Sequence, residues 1–273
     1  MSKVILVTGA SSGIGLAIAT ACAAAGHRVY GTSRKAAEWE PLKNFHLLPM
    51  EVTDEQSVKR AVELIIERHG RIDAVINNAG SGFNGAAEDV SNTEVEANFR
   101  LNVIGPWNVC RAVLPSMRTQ GGGTIMAVSS FAGQIGLPFR SVYASSKHAL
   151  EGMMESLSTE VRRWNIRVVI LQPAEFNTPI VQNRGSAART SAPYRADFHR
   201  INDQINRGVA AAPPPTAMGD VVLRVLNDPA PALRYRIAPF GTRISILLKR
   251  LLPSRLFEKM LIKRFGLDKA PPR

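Results

Sequence analysis

Short runs that are apolar at every position alternate with helical periodicity along most of the chain. Val4-Ile-Leu-Val7 is such a run, and it predicts a parallel strand covered on both faces. A glycine-rich break follows, then an alanine-rich helix over about 16–25 closed by Gly26, then a second strand at Val29-Tyr-Gly-Thr32. The alternation continues with strands over 45–50, 72–76, 123–128 and 167–171 and helices over 55–69, 93–118 and about 142–164. Pro106 falls inside the helix over 93–118 and predicts a kink or break near Gly105, since proline cannot donate to the preceding turn. Strands separated regularly by helices predict an α/β fold, a doubly wound parallel sheet.

Beyond Thr178 the pattern loosens. Residues 179–215 mix Arg, Ala, Gly and Pro around a modest helical stretch over 196–207, which suits a substrate loop or lid. A helix over 216–227 and a last strand over 235–238 follow. The segment 244–265 then alternates apolar and basic pairs at helical spacing, interrupted by Pro253. The expected organisation is one catalytic domain over 1–241, including the loop over 179–215, and a basic amphipathic extension over 242–273.

Composition narrows the class. With 45% hydrophobic and 21% charged residues in 273, the chain can bury a sizeable core in one large domain. Cys22 and Cys110 lack metal-ligand spacing and sit in apolar helical patterns, so they read as buried free thiols of a reducing compartment, and no metal site is expected. The chain enters a strand at Lys3 without a leader pattern, which favours a cytoplasmic location. The net charge of +12 is uneven: from 234 to 273 eleven Lys/Arg stand against two Asp/Glu. No aromatic platform or recognition-helix pattern accompanies that basicity, so nucleic acid is not the expected partner. A basic amphipathic segment too short to span a bilayer fits peripheral contact with a membrane surface, or packing on protein.

The candidate chemistry lies in a few motifs. Thr8-Gly9-Ala10-Ser11-Ser12-Gly13-Ile14-Gly15 joins the first strand to the first helix. Gly9 permits a tight turn, Gly13 lets backbone approach a phosphate, and Gly15 permits close helix packing while the helix N-terminus faces the anion. Tyr143-Ala-Ser-Ser-Lys147 places a phenol and an ammonium four apart on one helix face. An ammonium near a phenol favours the phenolate, which brings the tyrosine toward a working proton donor and acceptor.

Taken with Asn77-Asn78-Ala79-Gly80, Asn102 and Ser130, these motifs resemble in order and spacing the short-chain dehydrogenases/reductases, over about residues 3–240. The resemblance implies a Rossmann-like fold and the following roles. Tyr143 is the general acid or base, Lys147 lowers its pKa and binds the nicotinamide ribose, Ser130 holds the substrate oxygen, and Asn102 keeps a water in the proton relay. Adjacent Ser129 is the alternative to Ser130. Asn78, Ala79 and Gly80 brace the sheet beside the cofactor ribose. Pro173-Ala174-Glu-Phe176-Asn-Thr178 is similar to the family segment that contacts the nicotinamide carboxamide, with Ala174 where glycine is usual.

Cofactor choice turns on the end of the second strand, which reads Thr32-Ser33-Arg34. No acid is there to bind a ribose 2′-hydroxyl, whereas Arg34, with Ser12 or Ser33, suits a 2′-phosphate; NADPH is therefore favoured over NAD. Glu51-Val52 stands where the family has Asp-Val at the adenine pocket. The stretch 133–139 and the tail resemble the branch containing 17β-hydroxysteroid and retinol dehydrogenases. With Phe139, Val142 and Phe176 as apolar walls, the expected substrate is a hydrophobic ketone, aldehyde or alcohol, steroid-, retinoid- or lipid-like. The resemblance also implies a homodimer or homotetramer. The alternatives are an NAD-dependent alcohol dehydrogenase and a non-catalytic dinucleotide sensor or scaffold, though the latter usually lacks part of the Asn/Ser/Tyr/Lys set.

Overall fold

Val4, Ile5, Leu6 and Val7 are all buried because β1 (Val4–Val7) lies inside a sheet covered on both faces. The computed structural model describes residues 2–35 and 44–268. In chain order the strands are β1, β2 (Arg28–Ser33), β3 (Phe45–Pro49), β4 (Ala74–Asn77), β5 (Phe83–Asn84), β6 (Gly123–Val128), β7 (Ile166–Pro173), β8 (Gly185–Ser186) and β9 (Arg234–Ile237). Seven form one parallel sheet in the order β3-β2-β1-β4-β6-β7-β9, and β5 pairs with β8 separately. The sequence from β1 goes outward to β3 and then returns past β1 to β4, so the chain reverses direction between β1 and β4. Ligands of doubly wound sheets bind at that crevice, beyond the carboxyl ends of the strands.

The helices are α1 (Gly13–Ala24), α2 (Glu55–His69), α3 (Asn92–Phe99), α4 (Gly105–Thr119), α5 (Ser141–Val161), α6 (Ala192–Ala211), α7 (Thr216–Asn227), α8 (Phe240–Leu251) and α9 (Ser254–Phe265). Because strand side chains alternate faces, β1 sends Val4 and Leu6 to the α2, α4 and α5 side and Ile5 and Val7 to the α1 and α7 side. Local signals set the ends. Asp54 caps α2 through the Gln56 N–H, and Gly70 closes it in the left-handed region at φ 70°. Ser91 and Glu94 form a reciprocal capping box on α3.

The predicted kink near Gly105 takes another form. The chain stays helical from α3 into α4 through a π turn, Arg100–Ile104, and the Gly105 N–H reaches back five residues to the Arg100 carbonyl. Pro106 then falls in the first turn of α4, directly after the π turn. The segment 179–215 is also more ordered than its composition suggests. α6 runs 20 residues and buries Phe198, Ile201 and Val209 on one side. Thr216–Asn227 is helical as expected, the last strand is one residue earlier than predicted, and the tail forms α8 and α9 on either side of Pro253. Residues 269–273 of the predicted extension lie outside the described residues. Among the described residues, no helix is long and apolar enough to cross a membrane, and no His/Cys/Asp/Glu group could hold a metal. Cys22 and Cys110 are free and buried, and burial pushes both thiols up to about 12.

Candidate active site

The cradle after β1 is held from two sides. Thr8 Oγ1 accepts the backbone N–H groups of Asn78 and Ala79, each at 2.9 Å, while Asn78 Nδ2 donates to the Thr8 and Gly9 carbonyls at 2.9 and 3.0 Å. Thus the segment after β4 fixes the turn after β1. Gly9 and Gly13 have φ of +64° and +54°, where a side chain would be strained. Gly15 has no room for one: a Cβ there would stand 2.2 Å from the Gly9 carbonyl oxygen and 2.4 Å from Asn78 Nδ2.

These features fit a dinucleotide. Ser12 occupies the cap position of α1 with no side-chain cap bond, the first turn carries no acidic residue, and Ser11 and Ser12 are exposed beside it. First-turn N–H groups that no side chain satisfies are the donors a pyrophosphate needs. Thr178 packs over Gly13, its Cβ 3.4 Å from where a Gly13 Cβ would lie, so the segment after β7 closes over the cradle. Ile14 packs partly buried beneath it.

At the end of β2, Ser33 Oγ accepts the Lys35 N–H and Arg34 is exposed. A cleft of about 560 Å³ opens beside it, lined by Arg34, Pro49, Met50, Glu51 and Arg60 among others. Glu51 Oε1 accepts from the Thr53 N–H and hydroxyl at 3.0 and 2.9 Å, so one carboxylate oxygen is already engaged. Val52 accepts from Asn108 Nδ2 through its carbonyl and packs against Gly105.

The proton-transfer groups converge from β4, β6, the π turn and α5. Asn102 is fully buried within the π turn. Its Nδ2 donates to the Ser81 carbonyl, Asn98 Oδ1 and Ser146 Oγ at 2.9, 3.1 and 3.0 Å, and its Oδ1 accepts the Ser81 N–H. Ser146 Oγ in turn donates to the Tyr143 carbonyl, so the π turn is tied to the middle of α5. Gly80 permits the approach: a Cβ there would lie 2.8 Å from Asn102 Oδ1 and 3.5 Å from Lys147 Nζ. Lys147 is buried, donates to the Val128 carbonyl at 2.9 Å, and is pulled down to about 8 by desolvation despite the opposing charge of Glu151.

Ser129 and Ser130 follow β6 and part company. The Ser129 hydroxyl is buried and donates to Glu151 Oε1 at 2.7 Å. Ser130 caps the short turn Phe131–Gly133, its Oγ accepting the Ala132 N–H, and its hydroxyl faces the Tyr143 phenol. Burial pushes that phenol up; the Ser130 hydroxyl and the guanidinium groups of Arg140 and Arg184 pull it back. The cations that pull on Tyr143 are thus Arg140 and Arg184, two arginines that carried no signal in the motif.

Six further residues complete the surroundings. Glu151, 3% exposed, accepts from Ser129, Gln134 and Gln172 and pairs with Arg234 at 3.2 Å, which anchors the floor of the site. Pro173 ends β7, and the Ala174 N–H donates to the Ile237 carbonyl of β9. Phe176 and Val142 are buried; Phe176 belongs to the core with Met218 and Val221. Phe139 has a φ of 57° and meets Phe198 and Tyr194 of α6 edge-on, with centroids 5.6 and 6.3 Å away. That aromatic group gives the site its apolar side.

Comparison with known proteins agrees with this arrangement. The family model described as short chain dehydrogenase matches residues 3–189. A 3-ketodihydrosphingosine reductase of Bacteroides thetaiotaomicron is 36% identical over 261 residues, covering 95% of this chain and 96% of its own. Human 17-beta-hydroxysteroid dehydrogenase type 1 is 32% identical over 254 residues, 85% of this chain and 76% of its own. The crystal structure of a short-chain dehydrogenase from Streptomyces avermitilis superposes with a TM-score of 0.81 at 31% identity, covering 98% of both chains.

Proposed function

From the premise that this chain belongs to the short-chain dehydrogenase family, and is an oxidoreductase using a nicotinamide dinucleotide, we propose that it is an NADPH-dependent reductase of hydrophobic ketones or aldehydes. The observation that carries the reading is the joint placement of Ser130, Tyr143 and Lys147: Ser130 faces the phenol closely enough to hold its pKa down, and Lys147 lies buried on the same helix with Gly80 beside it. When bound, the nicotinamide supplies hydride to the carbonyl carbon, or takes it from the alcohol in reverse. Tyr143 gives its phenolic proton to the carbonyl oxygen as that oxygen gains charge, and Ser130 donates a hydrogen bond to the same oxygen. Lys147 holds the cofactor ribose and shares its positive charge with the phenolate left behind. Asn102 fixes the π turn against Ser81 and Ser146 and so keeps Tyr143 and Lys147 in register.

The preference for NADPH rests on Arg34 and Arg60 lining the cleft at the end of β2, with no acid on β2 to accept from a 2′-hydroxyl. The apolar part of the substrate lies against Phe139, Tyr194 and Phe198, a reading in keeping with relatives named for a ketosphingoid base and a steroid. Consumption of NADPH and NADH is to be measured against long-chain ketones, aldehydes, steroids and retinoids. Turnover with NADPH is expected, abolished in Tyr143→Phe while NADPH still binds. Retained turnover in that variant would remove the assigned acid; equal use of NADH would remove the cofactor assignment.

A further inference from the structure

Three residues before Tyr143, at the cap position of α5, stands Arg140, 6% exposed. Its guanidinium makes no hydrogen bond or ion pair among the described residues, and its Nη2 is fully buried. Arg184, just ahead of β8, reaches the same region. Its side chain lies against Gly82, its Nη1 donates to Asn206 Oδ1 of α6 at 3.0 Å, and its Nε is buried without an acceptor. Both guanidinium groups act on the Tyr143 phenol and on Glu175, and neither is within ion-pair distance of a carboxylate among the described residues. Burial pulls Arg140 down only to about 10, so it stays charged at neutral pH. Buried guanidinium donors are ordinarily paired, because an unpaired charge in a low-dielectric site is costly. Here both guanidinium groups, with Arg264 further along, act on one carboxylate, Glu175, and leave positive charge in excess beside the Tyr143 phenol.

We propose that Arg140 and Arg184 form an anion-binding subsite beside Tyr143, and that the carbonyl substrate carries a carboxylate or similar oxyanion near its reducible group, its apolar remainder lying toward Phe139 and Phe198. The position separates this subsite from the dinucleotide cradle, which uses the N-terminus of α1. The arginines instead adjoin the segment 139–143 and α6. Planar guanidinium groups present paired N–H donors that match a carboxylate. The inference rests on the reductase reading above, and its test distinguishes the two.

With saturating NADPH, reduction of 4-carboxybenzaldehyde is compared with that of its methyl ester. The acid is expected to have at least about a tenfold higher kcat/KM, carried by KM, as charged hydrogen bonds warrant. Arg140→Gln and Arg184→Gln are each expected to erase that ratio, and Arg184→Lys to restore part of it. Equal kcat/KM for acid and ester, or a preference that survives both glutamine variants, overturns the subsite. If neither aldehyde is reduced, calorimetric titration of the protein with benzoate decides: binding lost in Arg184→Gln supports the subsite, and no binding overturns it. Failure of the reductase reading shows separately, as absence of NADPH consumption with every carbonyl compound.

The extension carries a second, independent inference. Phe240, Ile244, Leu247 and Leu251 recur at helical spacing along α8 and are exposed, Phe240 at 79% and Leu251 at 70%; Leu256 and Met260 continue the exposed apolar surface on α9. Arg243, Arg250, Lys259 and Lys263 border them on the same helices. The opposite sides bury Ile246 and Phe257 against Phe131, Ile135 and Leu137, which follow Ser130. Exposed apolar residues bordered by cations match the headgroup boundary of an anionic bilayer, and the charge favours lipid over another copy of this basic chain. We infer that α8 and α9 seat the protein on an anionic membrane surface. Full-length protein is expected to cosediment with phosphatidylglycerol-containing vesicles and much less with phosphatidylcholine alone. Leu247→Gln with Leu251→Gln, and Lys259→Glu with Lys263→Glu, are each expected to release it. Equal sedimentation with both vesicle types, or variants that change the molecular mass in solution but not vesicle binding, would overturn the inference.

Discussion

Replacing Lys147 by methionine is expected to stabilise the protein while disabling it. The ammonium is buried, with the Val128 carbonyl as its one hydrogen-bond acceptor among the described residues, and its pKa falls from 10.5 to about 8. That fall corresponds to roughly 3 kcal/mol by which the folded environment disfavours the charged form. Methionine fills similar space without the charge but leaves the Val128 carbonyl unpaired, a loss of about 1 kcal/mol. The net gain at neutral pH is therefore about 2 kcal/mol. Between the folded pKa near 8 and the unfolded value of 10.5, the unfolded chain holds the extra proton, so wild-type stability rises with pH across that window. The cost is fully present below 8 and gone above 10.5, and the variant's advantage shrinks with it. Urea unfolding of both proteins without cofactor, at about pH 7 and about pH 10, measures this directly. A Met variant no more stable at the lower pH, or an equal difference at both, would refute the burial argument. Turnover is expected to fall by at least about a hundredfold in the same variant.

Other perturbations separate the parts of the site. Glu151→Gln, which removes the charge facing Arg234 and one acceptor for Ser129, is expected to cost about 3 kcal/mol in urea unfolding. Gly15→Ala forces a Cβ against the Gly9 carbonyl and Asn78; the loss of NADPH affinity, about a hundredfold or more by fluorescence titration, should exceed any effect on KM for the carbonyl compound. Ser130→Ala is expected to lower kcat by about a hundredfold with little change in melting temperature.

Much of this was legible in the chain because the physics is local. Four- to six-residue apolar runs bounded by turn residues are too short for buried helices and fit strands covered on both faces, and Gly9, Gly13 and Gly15 mark backbone that no other residue could occupy as closely. Tyr143 and Lys147 are one helical turn apart, so their shared face needs no tertiary knowledge. The rest depended on distance in space. Arg184 meets Arg140 and Tyr143 only because α6 folds a segment of loose composition back over the site, and no spacing in 179–215 announces that. Arg140 lay within reach of sequence reasoning, three residues from the tyrosine, but its burial did not. The division between Ser129 and Ser130 depends on Glu151, more than twenty residues downstream.

The π turn at Arg100–Ile104 has a further consequence for how this site tolerates change in chain length. A π turn accommodates one residue more than the α-helix around it, so the run from α3 into α4 contains a single insertion absorbed without a loop. The widened turn takes up the extra residue, so α3 and α4 continue as one helical run and the bulge itself carries Asn102 inward. Deleting one residue from 100–104 would restore regular winding and remove that bulge. Substitutions there can fail gently, one bond at a time; a one-residue deletion would instead take away the backbone position from which Asn102 reaches Ser81 and Ser146. The segment should therefore accept changes of side chain far more readily than changes of length, although it is helical throughout.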